Sequence, residues 1–226
     1  MTLTAIAGRL AARPQLAEGF RAGIPYAVAS GLVGVSFGIL ARPVMGSAAA
    51  IVMSVIVFAG SAQFASLAVL SAGGGALPAI AAGVLLNLRF VPMGIAIAPS
   101  LRHGPLGRAL RGQALVDASW ALANRGDGRF DTVFLVGSTL AQYPAWVLGT
   151  VIGVIAGAAI GNPDTFGLDA IFPAFFLGLL ANEVRRPGAP VAAILGAAIA
   201  LVLIPVAPAG VPIIAAGLAA VTGLRR

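Results

Sequence analysis

This chain has no cysteine, no lysine and a single histidine, and only 9% of its 226 residues are charged. Each shortage closes off a class of chemistry. Without cysteine there are no disulfides and no thiolate metal sites. Without lysine there is no G-x-x-x-x-G-K phosphate loop, so Gly73–Gly75 reads as a short connection, and lysine Schiff-base catalysis is excluded as well. His103 alone cannot build a metal site, and the seven acids are too scattered for a carboxylate cluster. Gly34-Val35-Ser36-Phe37-Gly38 matches the G-x-S-x-G nucleophile pattern, but that pattern requires a strand–turn–helix elbow and a partner histidine. Here it lies inside an apolar run, with Ala27, Gly31, Gly34 and Gly38 on one helical face suited to close packing. The chain is read as no enzyme, with no catalytic residue, metal or cofactor.

What the sequence does hold is apolar. Hydrophobic residues make up 59% of it, and its mean hydropathy is +1.01; a soluble domain carries about 25% charged residues. The apolar runs are continuous and about twenty residues long, as membrane-spanning helices require, rather than alternating every second residue as barrel strands do. Helices satisfy their backbone hydrogen bonds internally and so can cross lipid. The predicted fold is all-α: six to eight transmembrane or broken, re-entrant helices in one bundle over 23–226. Residues 1–22, with Arg9, Arg13, Glu18 and Arg21, read as a cytoplasmic or interfacial arm. The net charge of +7 comes entirely from arginine. It is assigned to cytoplasmic loops and lipid headgroups rather than to nucleic acid.

Apolar runs fall at 23–41, 47–71, 77–100, 131–160, 166–182, 188–206 and 210–224, with a weaker segment at 112–124. Arg125 and Arg129, Arg185–Arg186 and Arg225–Arg226 lie at every second boundary, while 161–170 carries Asp164 and Asp169 and no base. The positive-inside tendency places the arginine boundaries and the C-terminus in the cytoplasm, and 161–170 outside. The front half breaks this parity, because the N-terminal arm and the loop 101–111 are both basic yet three runs separate them. A break in 47–71 at Gly60-Ser61-Ala62-Gln63, with Gln63 facing a cavity, restores it. Segment 112–124 then dips in without crossing. The alternative is seven plain crossings with one basic loop outside.

Polar groups at membrane depth are the candidate site: Ser61, Gln63, Asn87, Arg89, Asp117 and Ser119. Ionisable residues there are costly and mark function by default; the competing reading is a structural salt bridge. Asp117 is the expected counter-charge of Arg89, since a lone buried arginine is unfavourable. Asn87 sits about 200° round a regular helix from Arg89, so a local break near Pro92 is needed to bring both to one cavity. Gly149, Gly153, Gly157 and Gly161 form three consecutive G-x-x-x-G steps, a stripe for close packing either within the bundle or against a partner subunit.

Four segments in order, VFAGSAQFASLAVL (57–70), NLRFVPMG (87–94), VDASWAL (116–122) and LDAIFPAFFLGLL (168–180), resemble the AzlC family of bacterial branched-chain amino acid exporters. The resemblance spans roughly Gly19 to Arg186, and AGSAQF is its most specific piece. It implies the large subunit of a secondary transporter in the bacterial cytoplasmic membrane, partnered by a small membrane protein of the AzlD type. The implied substrates are leucine, isoleucine, valine and sometimes methionine, driven by the membrane potential or a proton gradient; a higher oligomer is left open. Many relatives carry histidine after the N-x-R arginine, where this chain has Phe90, and Asp-Glu where it has Asp117-Ala118. Both changes remove a titratable group. The second function class is a non-transporting membrane scaffold whose buried arginine is structural.

Overall fold

The computed structural model describes residues 14–101, 104–125, 129–160, 189–207 and 211–219, together with Leu177, Leu180, Ala181, Val184 and Arg185. The stretch 161–170 and its two aspartates lie outside the described residues, as do Arg186, Arg225 and Arg226. The described chain is helical. In order the helices are α1 (Pro14–Met45), α2 (Ser47–Ile56), α3 (Gly60–Ser71), α4 (Ala76–Asn87), α5 (Phe90–Ile97), α6 (Pro105–Gly112), α7 (Asp117–Ala123), α8 (Thr132–Ile160), α9 (Ala189–Leu203) and α10 (Val211–Gly217). Among the described residues the only β-pairing is an isolated bridge between Asn124 and Phe130.

Among the described residues, three stretches are long and apolar enough to cross a membrane: Pro14–Met45, Ala76–Ser100 and Thr132–Ala159. Their outward faces carry exposed Leu32, Leu77, Ile95 and Leu148, a pattern suited to lipid and unfavourable in water. The first helix begins no later than Pro14, so residues 14–22 of the expected arm continue directly into it. Run 47–71 is split into α2 and α3, about 15 and 18 Å long, each short of a full crossing on its own. Segment 112–124 contains only the tail of α6, a turn and α7, which at about 10 Å is too short to cross.

Two long helices, α1 and α8, form the spine, and glycine sets their separation. A Cβ on Gly149 would strike the carbonyl of Gly31, and one on Gly153 that of Val35. From the facing side, a Cβ on Gly34 would come within 2.6 Å of the Trp146 carbonyl oxygen, and one on Gly38 would strike that of Thr150. Gly157 lies 3.3 Å from the Ile39 Cα by the same measure. In this chain Gly149, Gly153 and Gly157 therefore pack against α1 of the same subunit. Gly161 lies outside the described residues.

Local signals fix the helix ends. Asp131 caps α8, its Oδ1 accepting the N–H groups of Val133 (3.1 Å) and Phe134 (2.9 Å). Gly73, at φ +80, closes α3: its N–H reaches the Leu70 carbonyl while the N–H of Gly74 reaches that of Val69. The chain then returns through α4, whose Gly83 admits the Ser66 hydroxyl, and that hydroxyl donates to the Ala79 carbonyl at 2.8 Å.

Candidate functional site

The break in run 47–71 falls at Val57–Ala59, one step before the expected position. Phe58 adopts φ +38 and Ala59 is extended, with φ −141 and ψ 88. A left-handed conformation in a bulky residue costs about 1–3 kcal/mol and persists only where its surroundings enforce it. Here they do. The Tyr143 hydroxyl donates to the freed Val55 carbonyl at 2.8 Å, and Gln113 Nε2 donates to that of Ile56 at 3.3 Å. The Phe58 ring meets Tyr143 edge-on at 5.0 Å. Gly60–Gln63, expected to be the break itself, instead forms the first turn of α3. Small residues serve a different purpose there: a Cβ on Gly60 would lie 2.9 Å from the Trp146 ring.

Gln63, whose Oε1 has no hydrogen-bond partner, does not line the cavity that Arg89 and Asp117 wall. It is fully buried and starts a one-way chain of hydrogen bonds: Gln63 Nε2 donates to Ser54 Oγ (3.0 Å), Ser54 to Thr150 Oγ1 (2.8 Å), and Thr150 to the Trp146 carbonyl (3.0 Å). This chain ties α2, α3 and α8 together. Ser119 is likewise consumed, accepting the Val116 N–H at 3.1 Å and donating to the carbonyls of Ala114 and Val116. Ser61 Oγ and Asn87 Oδ1 are buried without a hydrogen-bond partner, and neither residue lines the cavity described next.

A second interruption lies at Leu88–Arg89. Pro92 has no N–H to offer the Leu88 carbonyl, which takes the N–H of Val91 instead at 3.0 Å. The helical path tightens and continues into α5. At this junction Arg89 projects to Asp117, Nη2 to Oδ2 at 2.8 Å, with its guanidinium 5.0 Å over the Phe90 ring. Asp117 is the first residue of α7.

These pieces surround one cavity of about 190 Å³, walled by Arg89, Asp117, Gly60, Phe58, Gln142 and Trp146, among others. At about 30 Å³ per water, that is room for a few waters or one small solute. The start of α3 faces it with no side-chain cap, so its first N–H groups and dipole favour an anion there. Arg89 adds a fork suited to a carboxylate, and its Nε has no partner. Asp117 supplies an acceptor for an ammonium. Gln142 is 3% exposed and anchored by its own Nε2 to the Ser138 hydroxyl at 2.9 Å.

Of the six candidates, the structure brings Arg89 and Asp117 together in the cavity and places the other four elsewhere. Sequence reasoning missed Gln142, Trp146 and Ser30 on its walls. Gln142 was accessible by the rule that singled out Gln63, as a polar residue deep in the run 131–160. Phe90 and Ala118 both line the cavity.

Two interrupted helical segments facing one polar cavity, in a bundle whose outer surface is apolar, define a helical membrane protein. The chain belongs to the AzlC family: the family described as "AzlC protein" matches residues 25–160. It is 31% identical to the inner membrane protein YgaZ of Escherichia coli, covering 84% of this chain and 83% of that one. It is 33% identical to an uncharacterized membrane protein of Archaeoglobus fulgidus, over 83% and 84% of the two chains. A third, an uncharacterized membrane protein of Helicobacter pylori, is 27% identical over 76% of each chain. No solved structure matches this chain.

Proposed function

We propose that this protein is the large subunit of a secondary transporter that exports branched-chain amino acids from the bacterial cytoplasm, acting with a small membrane subunit of the AzlD type. Membership of the AzlC family supports a role in membrane transport, and the inner-membrane relative supports the cytoplasmic membrane as its location. The observation that carries the reading is the Arg89–Asp117 pair at 2.8 Å, set opposite an uncapped helix start on one small cavity. A zwitterion is the ligand whose charges match that set. Its carboxylate replaces Asp117 on Arg89 and takes the N–H groups of α3, while its ammonium takes the released Asp117. The exchange leaves no charge unpaired at either stage, with the Arg89 side chain 33% and the Asp117 side chain 60% exposed in this chain. Both termini lie in the cytoplasm in this reading.

The test is counterflow of labelled leucine, valine and methionine in proteoliposomes, with and without the small subunit. The reading expects accumulation of at least one of them by the complex and little by the single subunit. Vesicles holding the intact complex that exchange none of the three would overturn it.

A further inference from the structure

The cavity at Arg89 has a neighbour. A second space of about 250 Å³ is walled by Val55, Leu110, Val136, Thr139, Leu140 and Tyr143. Phe58 lines both, so the strained residue at the helix break stands between them.

The two spaces differ in what they offer a ligand. In the second, every side-chain donor with an assigned bond is already committed to the main chain: Tyr143 to Val55, Gln113 to Ile56, and Thr139 to Ala114 at 2.6 Å. What remains is an apolar wall. In the first, Arg89 and Asp117 are bonded to each other at 2.8 Å rather than to the main chain, the Arg89 Nε has no hydrogen-bond partner, and the start of α3 is uncapped. Charged groups gain hydrogen bonds in one compartment, and hydrocarbon is buried without stranding a polar group in the other. An α-amino acid with an aliphatic side chain divides its polarity in the same way.

We propose that the two cavities are a single bipartite site: the first holds the ammonium and carboxylate, the second holds the aliphatic side chain, and Phe58 sets how large a side chain passes between them. This rests on the amino-acid export reading and adds to it the residues that choose the substrate. Phe58 is suited to the task because its position depends on two side-chain hydrogen bonds and one ring contact. A ligand pressing on the ring acts directly on the helix break.

Because the chain has no native cysteine, Val136→Cys gives it a single thiol, on the wall of the second cavity. Its alkylation by N-ethylmaleimide is followed in the full complex with leucine, with glycine, or with neither. Glycine carries the same charged groups and no side chain. The proposal expects leucine to slow alkylation at least about fivefold and glycine to leave it unchanged. In competition transport, Val136→Phe should weaken leucine relative to alanine by about tenfold or more, as expected when methylenes lose their pocket. Equal protection by both ligands, or by neither while leucine still exchanges, overturns the proposal; the latter marks a cleft for lipid chains. If Val136→Cys does not accumulate, Leu140→Cys on the same wall carries the same test. A wild-type complex that exchanges no amino acid removes the export reading itself, a separate outcome from failure of the protection pattern.

Discussion

Replacing Gly34 by alanine adds one methyl group to the close backbone seam between α1 and α8. The new Cβ lies 2.6 Å from the Trp146 carbonyl oxygen and 3.3 Å from the Thr150 nitrogen. Ordinary contact begins at 3.4 Å, so the carbonyl contact falls short by about 0.8 Å. Both neighbours are helix backbone, so relief requires the helices to part. That movement also strains the Ser54–Thr150 hydrogen bond, which is only 2.8 Å long. Overpacking of this kind costs about 1–3 kcal/mol, against up to about 1 kcal/mol gained from the better helix former. The control is Gly94→Ala in α5, where an added Cβ meets nothing within 4 Å. It should be neutral or slightly stabilising. Unfolding of both variants in mixed micelles, titrated with SDS and followed by tryptophan fluorescence, measures the difference. Two indistinguishable unfolding curves would refute backbone-to-backbone packing of α1 on α8.

Three further outcomes follow from the same structure. Thr150→Val removes the acceptor of the buried Ser54 hydroxyl and should cost about 1–3 kcal/mol in the same unfolding assay, with Ser54→Ala and Thr150→Val combining less than additively. Gly153→Leu should lower accumulation of the chain itself; normal accumulation with selective loss of the small subunit would contradict the internal placement of the stripe. Asp164→Cys should react with an impermeant maleimide on intact cells and Arg186→Cys should not, and the reverse pattern would overturn the proposed orientation.

How much of this was legible in the sequence depends on the range of the forces involved. Helical membrane structure follows from long apolar runs, a property of local composition. The Arg89–Asp117 pairing was legible because a lone arginine at depth is so unfavourable that the few available acids narrow the choice. That run 47–71 is interrupted was also readable, from its small and polar residues. The place of the interruption was not. Phe58 takes the left-handed conformation because Gln113 and Tyr143, 55 and 85 positions further on, receive the freed carbonyls, and nothing near Phe58 in sequence announces that. The same limit applies to Gln63 and Ser119. Polarity at membrane depth does not reveal whether a side chain faces a cavity or is spent on partners, and the partner that completes the Gln63 chain, Thr150, is 96 residues from Ser54. The 149–157 stripe announced close packing, but only the register of Gly31, Gly34 and Gly38 on α1 shows what fills it.

The central claim is that Arg89 exchanges Asp117 for a substrate carboxylate. Leucine counterflow by four versions of the complex tests it most directly: wild type, Arg89→Lys, Asp117→Ala, and Arg89→Ala combined with Asp117→Ala. Lysine keeps the charge but loses the planar fork; losing one charge-assisted hydrogen bond, worth about 1.5–3 kcal/mol, should slow counterflow by roughly tenfold to a hundredfold. The double variant removes both charges together, so the chain should still reach the membrane while counterflow stays lost. Counterflow restored to the wild-type rate in that double variant would show that the pair only holds the bundle together, and would contradict the account.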